Sequence, residues 1–334
     1  MNVVRCALVT MVVGFAFMLT VGQAFASGVT LHVGGTVSPE HSWYKGAEAF
    51  KEQVERETEG QVKVQIEMGG VHGGERKMVS EVMRGMLDMV WTSDIGLAAV
   101  FPSLGFVNLP YLLDGYEDVD KRYLEGWMGK VLEKETVKKG IVILSHGEND
   151  FRGLTNSKRP LNSGADFQGL KLRVPEVPIY IAFYRNLGAL PTPMAITEVP
   201  TALQQRTVDG QDNGAIITYD FGLHQFQKYM TKANQIYSGS QLLINQKKYK
   251  RLTAEQQQIV ANAAKQAAKL QVELNRAIVN EYYQKIGESG VIVAEATPQL
   301  VADMKVAAKK VWTNPETVKA FGKDIIDRIV REAE

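Results

Sequence analysis

Residues 29–68 read VTLHVGGTVSPEHSWYKGAEAFKEQVERETEGQVKVQIEM, and this stretch sets the fold class. Val29 to Gly34 alternates apolar and polar side chains, as a strand does. Ser42 to Thr58 repeats Trp43, Ala47, Phe50 and Val54 on one helical face, and Val62 to Met68 alternates again with Val62, Val64 and Ile66 on one side. The pattern continues outward with a helix at Glu75 to Arg84, a short strand around Leu87 to Trp91, a helical segment at Tyr116 to Lys139 and a buried strand at Ile141 to Ser145. Strands alternating with helices predict an α/β fold of mainly parallel sheets flanked by helices.

Turn residues crowd the stretch from Asn149 to Gly169 and end this first block. A second block follows: strand Leu170 to Val174, helix Ile179 to Leu187, the turn Pro191-Thr192-Pro193 and helix Thr197 to Gln205. From Gln235 to Ile244 the chain is extended again. The two extended passages are expected to cross between lobes, which makes the first lobe discontinuous. Thr253, with Gln256 three residues on, is a capping-box signature. It opens a helical segment running to about Lys285, on the order of 50 Å at helical rise. Ile259, Ala263, Ala267, Leu270, Leu274 and Ile278 recur along it every three or four residues. The alanines in that stripe suit close packing within one chain better than a coiled-coil dimer, and such a rod would brace both lobes. The expected organisation is a first lobe at 27–150, joined by part of 240–334, and a second lobe at 151–239, with the long interlobe helix at 253–287 and C-terminal helices at 297–334.

Ahead of the first strand, Arg5 is the only charged residue before residue 40, Cys6 to Val21 is almost wholly apolar, and Ala24-Phe25-Ala26 supplies a small-x-small cleavage site. That is the pattern of a secretory signal peptide at 1–26. A membrane anchor would need a longer apolar run followed by positive charge, and a lipid-attachment cysteine would follow the apolar run, whereas Cys6 precedes it. Cleavage would remove the one cysteine, and with it disulfides, cysteine-ligated zinc and a catalytic thiol. It would also take Arg5, bringing the 38 Lys and Arg down to 37 against 37 Asp and Glu. With neither a basic excess nor a basic run, nucleic acid is not an expected partner. The remaining length, roughly 300 residues, exceeds what one core ordinarily supports, so two lobes are expected.

Two arginines and an asparagine stand out. Arg152 lies in Phe151-Arg152-Gly153, Arg173 in Leu170-Lys171-Leu172-Arg173-Val174-Pro175, and Asn213 in Val208-Asp209-Gly210-Gln211-Asp212-Asn213. A lone arginine is ordinarily a solvated surface charge. These two follow or end expected strands beside turn residues, where α/β folds put ligands. A guanidinium held in a cleft grips a carboxylate through two parallel hydrogen bonds. Glu148 and Asp150 form a carboxylate pair capable of acid–base work, but so close to Arg152 a salt bridge or ligand contact is the simpler use.

Trp91 ends a strand and runs into Thr92-Ser93-Asp94, which makes it a candidate pocket wall. Tyr237 lies on the second crossover, and core packing is the ordinary explanation for most such aromatics. Gly69-Gly70-Val71-His72-Gly73-Gly74-Glu75 follows a strand and opens a helix, yet it matches neither the dinucleotide fingerprint nor the P-loop. It reads as a flexible turn whose helix start can line a cleft, with Glu75 placed to meet a hydroxyl or ammonium. His32, His41, His72, His146 and His224 are scattered without a metal-binding pair, so no metal is expected, and His41 reads as a helix cap. A Gly-x-Ser-x-Gly elbow and a serine–lysine motif are both missing. Neither catalysis nor a cofactor is expected; a periplasmic lyase or isomerase using the arginines for substrate binding is the weighed alternative.

Taken in order, these motifs resemble the DctP-type solute-binding proteins of TRAP (tripartite ATP-independent periplasmic) transporters. The resemblance spans essentially everything after the leader. It is carried by the Ser42 to Gly60 helix running into Gln61-Val62-Lys63-Val64, by Gly74-Glu75-Arg76 ahead of Gly85-Met86-Leu87-Asp88-Met89, and by Leu109-Pro110-Tyr111-Leu112. It continues through Phe151-Arg152 with Thr155-Asn156-Ser157-Lys158-Arg159-Pro160, Gly169-Leu170-Lys171-Leu172-Arg173-Val174-Pro175, Pro191-Thr192-Pro193-Met194 and Val208-Asp209-Gly210-Gln211-Asp212-Asn213. The resemblance implies a two-lobed periplasmic binding protein with a long helix across both lobes. It implies that Arg173 makes the main ion pair with a ligand carboxylate and that Arg152 and Asn213 complete the carboxylate site. Thr36, Glu75, Trp91 and Glu176 match ligand-contacting positions. The chain departs from the family pattern at Gln211-Asp212-Asn213-Gly214, where Gln-Glu-Asn-Pro is usual, and at Asn149-Asp150-Phe151-Arg152, where Asn-Gly-Phe-Arg is usual. The added carboxylate of Asp150 would bind an amino group or partly neutralise Arg152.

The expected function is an extracytoplasmic receptor that captures a small carboxylate-bearing organic acid by hinge closure and delivers it to a small membrane subunit and a large permease subunit. A dicarboxylate or sugar acid is the broad default. Trp91, Asp150 and Glu176 make an amino acid or aromatic carboxylate the rival ligand, and a periplasmic sensor of the same fold is the rival role.

Overall fold

The computed structural model describes residues 28–333, so the leader expected at 1–26 lies outside the described residues. The strands are β1 (Val29–Gly34), β2 (Val62–Glu67), β3 (Met89–Ser93), β4 (Ile141–Phe151), β5 (Gly153–Asn156), β6 (Lys171–Val174), β7 (Leu190–Pro193), β8 (Gly210–Asn213), β9 (Tyr229–Lys232), β10 (Tyr237–Asn245) and β11 (Ile292–Glu295). They form a five-stranded sheet in the order β2-β1-β3-β10-β4 and a six-stranded sheet in the order β11-β9-β5-β8-β6-β7. The alternating blocks of the sequence supply parallel pairs, β1 with β2 and β3, and β6 with β7 and β8. The crossover strands supply antiparallel ones, β10 against β3 and β4, and β5 against β8 and β9. Both sheets of this two-lobed α/β fold are therefore mixed. A strand that enters from the other lobe arrives without the crossover helix that parallel pairing requires.

Two passages join the lobes. β4 leaves the first sheet at Phe151 and runs through Arg152 into β5 of the second, while β9 returns through residues 233–236 into β10. Where they pass each other, the Arg152 N–H donates to the Ile236 carbonyl at 2.8 Å, so the crossing is itself hydrogen-bonded.

The helix Ser42–Glu57 buries Trp43, Ala47, Phe50 and Val54. His41 caps it as expected, its Nδ1 accepting from the Trp43 N–H at 3.1 Å. The long helix is Ala254–Glu288, 35 residues opened by the Thr253–Gln256 capping box. Its first half packs Val260, Ala263 and Ala267 against Phe50 and Trp91 of the first lobe. Its far end packs Ile286 against Ala215 and Met230 of the second. The buried stripe differs from the apolar one expected: Leu270 is 38% exposed, whereas Gln271 and Asn275 are fully buried. The middle of the rod faces the polar crossing. There Gln271 Nε2 donates to Ser42 Oγ at 3.0 Å and to the Glu148 carbonyl at 2.9 Å, and its Oε1 accepts from the Glu148 N–H at 2.8 Å. Buried backbone groups need partners, so amide side chains occupy the turns where leucine would leave them unmet. The helices Pro298–Trp312, Pro315–Phe321 and Lys323–Ala333 close over the core through Leu300, Met304, Val311 and Phe321.

Trp91 is not a pocket wall. It sits on β3 in mid-sheet, fully buried beneath the 42–57 helix, with Nε1 donating to Ser240 Oγ at 3.1 Å. The helix comes so near that a Cβ on Gly46 would lie 2.6 Å from Trp91 Cη2. Two effects compete at this contact. Gly46→Ala gains about 1 kcal/mol of helix propensity, and overpacking costs about 1–3 kcal/mol. The clash is expected to win and lower the melting temperature. A rise would show that the helix is free to move off the tryptophan.

Candidate functional site

Between the lobes lies a cavity whose empty space, mouth included, is about 340 Å³. The first lobe contributes Thr36 from the loop after β1, Trp43 and Glu75 from two helix starts, Ser93 at the end of β3 and Asn149 near the end of β4. The second lobe contributes Arg173 at the end of β6 and Asn213 at the end of β8, with Ile196, Ile217 and Phe221, and Arg152 reaches in from the crossing. These are the strand ends where open α/β sheets bind ligands.

The two arginines differ in what answers their charge. Arg152 is sealed against Asp212: Nη2 lies 3.0 Å from Oδ1 and Nε 3.3 Å from Oδ2, and Nη2 also donates to the Asp212 carbonyl. Tyr184 donates its hydroxyl to Asp212 Oδ2 at 2.9 Å, and the guanidinium lies 5.4 Å from the centre of the Tyr180 ring. Asp212 therefore takes the neutralising part expected of Asp150.

Arg173 is 3% exposed and forms no salt bridge among the described residues. Its Nε and Nη2 both donate to one backbone carbonyl, that of Met194, at 3.1 and 2.7 Å. Burial, then the nearby charge of Arg152, pulls its pKa down to about 10, and Asp212 and Glu75 offset only part of this. It stays protonated at neutral pH without a counter-charge in contact.

The remaining polar groups are held in place. Glu75 accepts from the Ser93 N–H at Oε1 and from Ser93 Oγ at Oε2, each at 2.7 Å. Asn213 Nδ2 donates to Gln211 Oε1, and Gln211 Nε2 in turn donates to Thr155 Oγ1 at 2.9 Å. Asn149 Nδ2 donates to Ser238 Oγ at 3.3 Å, and among the described residues its buried Oδ1 has no partner. Trp43 Nε1 is fixed by the Glu148 carbonyl at 2.8 Å. Sequence reasoning misses Trp43, Ser93, Asn149 and Phe221 as lining residues. Trp43 carries a signal only for the core face of its helix, which it also serves.

The cleft is shut by contacts between the lobes. Arg76 Nη1 meets Glu176 Oε1 at 3.0 Å, and the Ser38 N–H donates to Asp220 Oδ2 at 3.3 Å. The glycine-rich loop forms a lip rather than a wall: a Cβ on Gly74 would lie 3.0 Å from that of Ala195 on the opposite lobe. Glu176 thus serves as a latch outside the cavity. Tyr237 is a core residue, its ring 5.2 Å from that of Phe151 and its hydroxyl donating to Glu148 Oε2 at 3.4 Å.

Asp150 does not face Arg152 or the cleft. Strand alternation would put both on one face, but the β4–β10 register slips between Ser238 and Gly239, and Asp150 adopts φ +126. The carboxylate turns to the other side, where Tyr116 donates its hydroxyl to Oδ1 at 2.7 Å. Burial, then the charge of Glu148, pushes its pKa up to about 7. The sign follows from linkage: between the usual carboxylate range and pH 7 the folded chain holds a proton that the unfolded chain has released, so stability falls as pH rises through that window. Asp150→Asn keeps the acceptor at Oδ1 and removes the charge. Thermal melts are expected to show little difference from wild type near pH 4 and a stabilised variant at pH 8, by on the order of a few kcal/mol. A difference that does not change with pH would contradict a buried, destabilising charge.

Comparison with known proteins places the chain. The sequence profile of DctP, the bacterial extracellular solute-binding protein family 7, matches residues 33–317. A solute-binding protein of Verminephrobacter eiseniae is 34% identical over 84% of this chain and 83% of its own. The 2,3-diketo-L-gulonate-binding periplasmic protein YiaO of Escherichia coli is 28% identical over 91% of this chain and 88% of that protein. A crystal structure of a TRAP periplasmic solute binding protein from Polaromonas, bound to D-erythronate, matches with a TM-score of 0.83 at 31% identity, covering 90% of this chain and 98% of that one. With the fold, the cleft and the sequence in agreement over most of its length, the chain belongs to the bacterial extracellular solute-binding proteins of family 7, the DctP family.

Proposed function

We propose that this chain is a periplasmic receptor that closes two lobes on a small hydroxylated monocarboxylate and hands it to the membrane subunits of a TRAP transporter. The observation that carries this is Arg173, a guanidinium buried between the lobes with a single backbone carbonyl as its partner. A buried charge lacking a counter-ion is strongly unfavourable, and an incoming carboxylate supplies one, with the Arg173 Nη1 edge and Asn213 beside it. The facing wall offers acceptors: the Glu75 carboxylate and the unpartnered Asn149 Oδ1. Acceptors take hydroxyl protons and repel a second carboxylate, which favours a hydroxy acid over a dicarboxylate. The space left between the shut lobes is small, which favours a short carbon chain. The amino-acid and aromatic alternatives depended on Asp150, Glu176 and Trp91, none of which lines this cavity.

Closure follows from differential affinity. Only the shut form touches the ligand with Glu75 of one lobe and Arg173 of the other, so binding shifts the population toward it. The shut receptor then docks on the small membrane subunit and the permease, and the uptake energy comes from the permease. D-erythronate bound to the Polaromonas relative supports this ligand class.

Thermal-shift measurements on the mature chain test the assignment. D-erythronate or a longer aldonate is expected to raise the melting temperature, and succinate far less. Arg173→Ala is expected to abolish the rise, since removing one side of a buried charge pair costs about 2–5 kcal/mol, a loss of at least roughly thirtyfold in affinity. A variant that keeps the full shift overturns the role of Arg173, and a stronger response to succinate overturns the hydroxy-acid class.

A further inference from the structure

A second uncompensated charge lies away from the cleft. Asp150 is 3% exposed at φ +126, a backbone region that costs a non-glycine residue about 1–3 kcal/mol. A strained backbone and a buried carboxylate at one hinge position are two penalties that the carboxylate cleft does not use. Oδ1 accepts from the Tyr116 hydroxyl at 2.7 Å and from the Phe151 N–H at 2.6 Å. Oδ2 has no hydrogen bond, and Asp150 has no salt bridge, among the described residues.

Asp150 lines a cavity distinct from the cleft, about 800 Å³ with its mouth, together with Tyr116, Lys232, Arg276, Asn280 and Tyr283. Its walls come from β4 of the first sheet, β9 and β11 of the second, and the long helix. Both cations in this wall are already committed. Arg276 Nη2 lies 2.6 Å from Asp120 Oδ1 and 2.9 Å from Glu148 Oε2, and its guanidinium covers the Tyr116 ring at 4.4 Å. Lys232 Nζ lies 3.0 Å from Glu295 Oε1 and 4.5 Å from the centre of the Tyr283 ring. Arg276 is thus taken by Asp120 and Glu148 and Lys232 by Glu295, and among the described residues Asp150 has no cation in contact. Burial, then the charge of Glu148, raises the Asp150 pKa, and the charge of Arg276 offsets only part of this.

We propose that this hinge-side cavity is a binding site for a small primary ammonium, held on Asp150 Oδ2. The ammonium donates to that carboxylate oxygen, and Asn280, exposed on the wall of the same cavity, offers an amide oxygen for a second proton. The site is separate from the carboxylate cleft and does not depend on what that cleft binds.

Thermal melts at pH 8 with ethylammonium chloride, against sodium chloride at equal ionic strength, test this on wild type, Asp150→Asn and Arg173→Ala. Ethylammonium at about ten times its Kd is expected to raise the wild-type melting temperature by roughly 2 °C. Arg173→Ala should keep that rise and Asp150→Asn should lose it. Asparagine is isosteric and neutral, so the variant's own melt reports that it folds. An equal rise in Asp150→Asn overturns the proposal, as does a wild-type response no larger than that to sodium chloride across the range up to about 100 mM. Loss of the response in Arg173→Ala overturns the separation of the two sites.

Discussion

A guanidinium taken out of water needs an anion, and among the described residues Arg173 has only the carbonyl of Met194. Arg152, on the crossing beside it, shows the satisfied alternative, its charge answered by Asp212, which the Tyr184 hydroxyl in turn holds. Breaking a buried pair by removing one partner is among the larger penalties in protein energetics, a few kcal/mol or more. A binding protein can carry that penalty while empty and recover it when the ligand arrives. In the proposed function the unpaired arginine receives the ligand, while the paired one holds the crossing between the lobes.

The scaffold is arranged around that difference. Arg173 and Asn213 end strands of the second sheet, and Glu75 and Ser93 are placed by the first, so the two halves of the site meet only when the lobes do. The chain crosses between the sheets twice, and the passages hydrogen-bond to each other at Arg152 and Ile236. The long helix touches both lobes with apolar side chains at its ends and satisfies the crossing with Gln271 and Asn275 in between. A polar middle suits a brace that spans a moving joint, because hydrogen bonds to Ser42 and Glu148 fix its register where leucines would only add area.

Patterns local to the chain were legible in the sequence. The strand–helix alternation from Val29 to Met68, the Thr253 cap, the His41 cap and the strand-end position of Arg173 each follow from a few consecutive residues. What was not legible depends on partners distant in sequence. Trp91 reads as a wall because polar residues follow it, and packing against the 42–57 helix at Gly46 and the long helix at Ala267 buries it. Asp150 reads as facing Arg152 because strands alternate, and a one-residue slip against β10 turns it away. The stripe of Leu270 and Leu274 reads as the buried face, but the polar crossing beneath the helix selects Gln271 and Asn275. Asp212, next to Asn213 in sequence, carries no local mark of pairing with Arg152. Mixed sheet polarity likewise follows from the crossovers and not from the alternating blocks.

The most direct measurement is a crystal structure of the mature chain grown with D-erythronate. The ligand carboxylate should lie about 2.7–3.2 Å from the Arg173 guanidinium, with its hydroxyls directed at Glu75 and Asn149. A structure with the carboxylate seated on another group, and Arg173 still bonded to Met194 alone, would contradict the account.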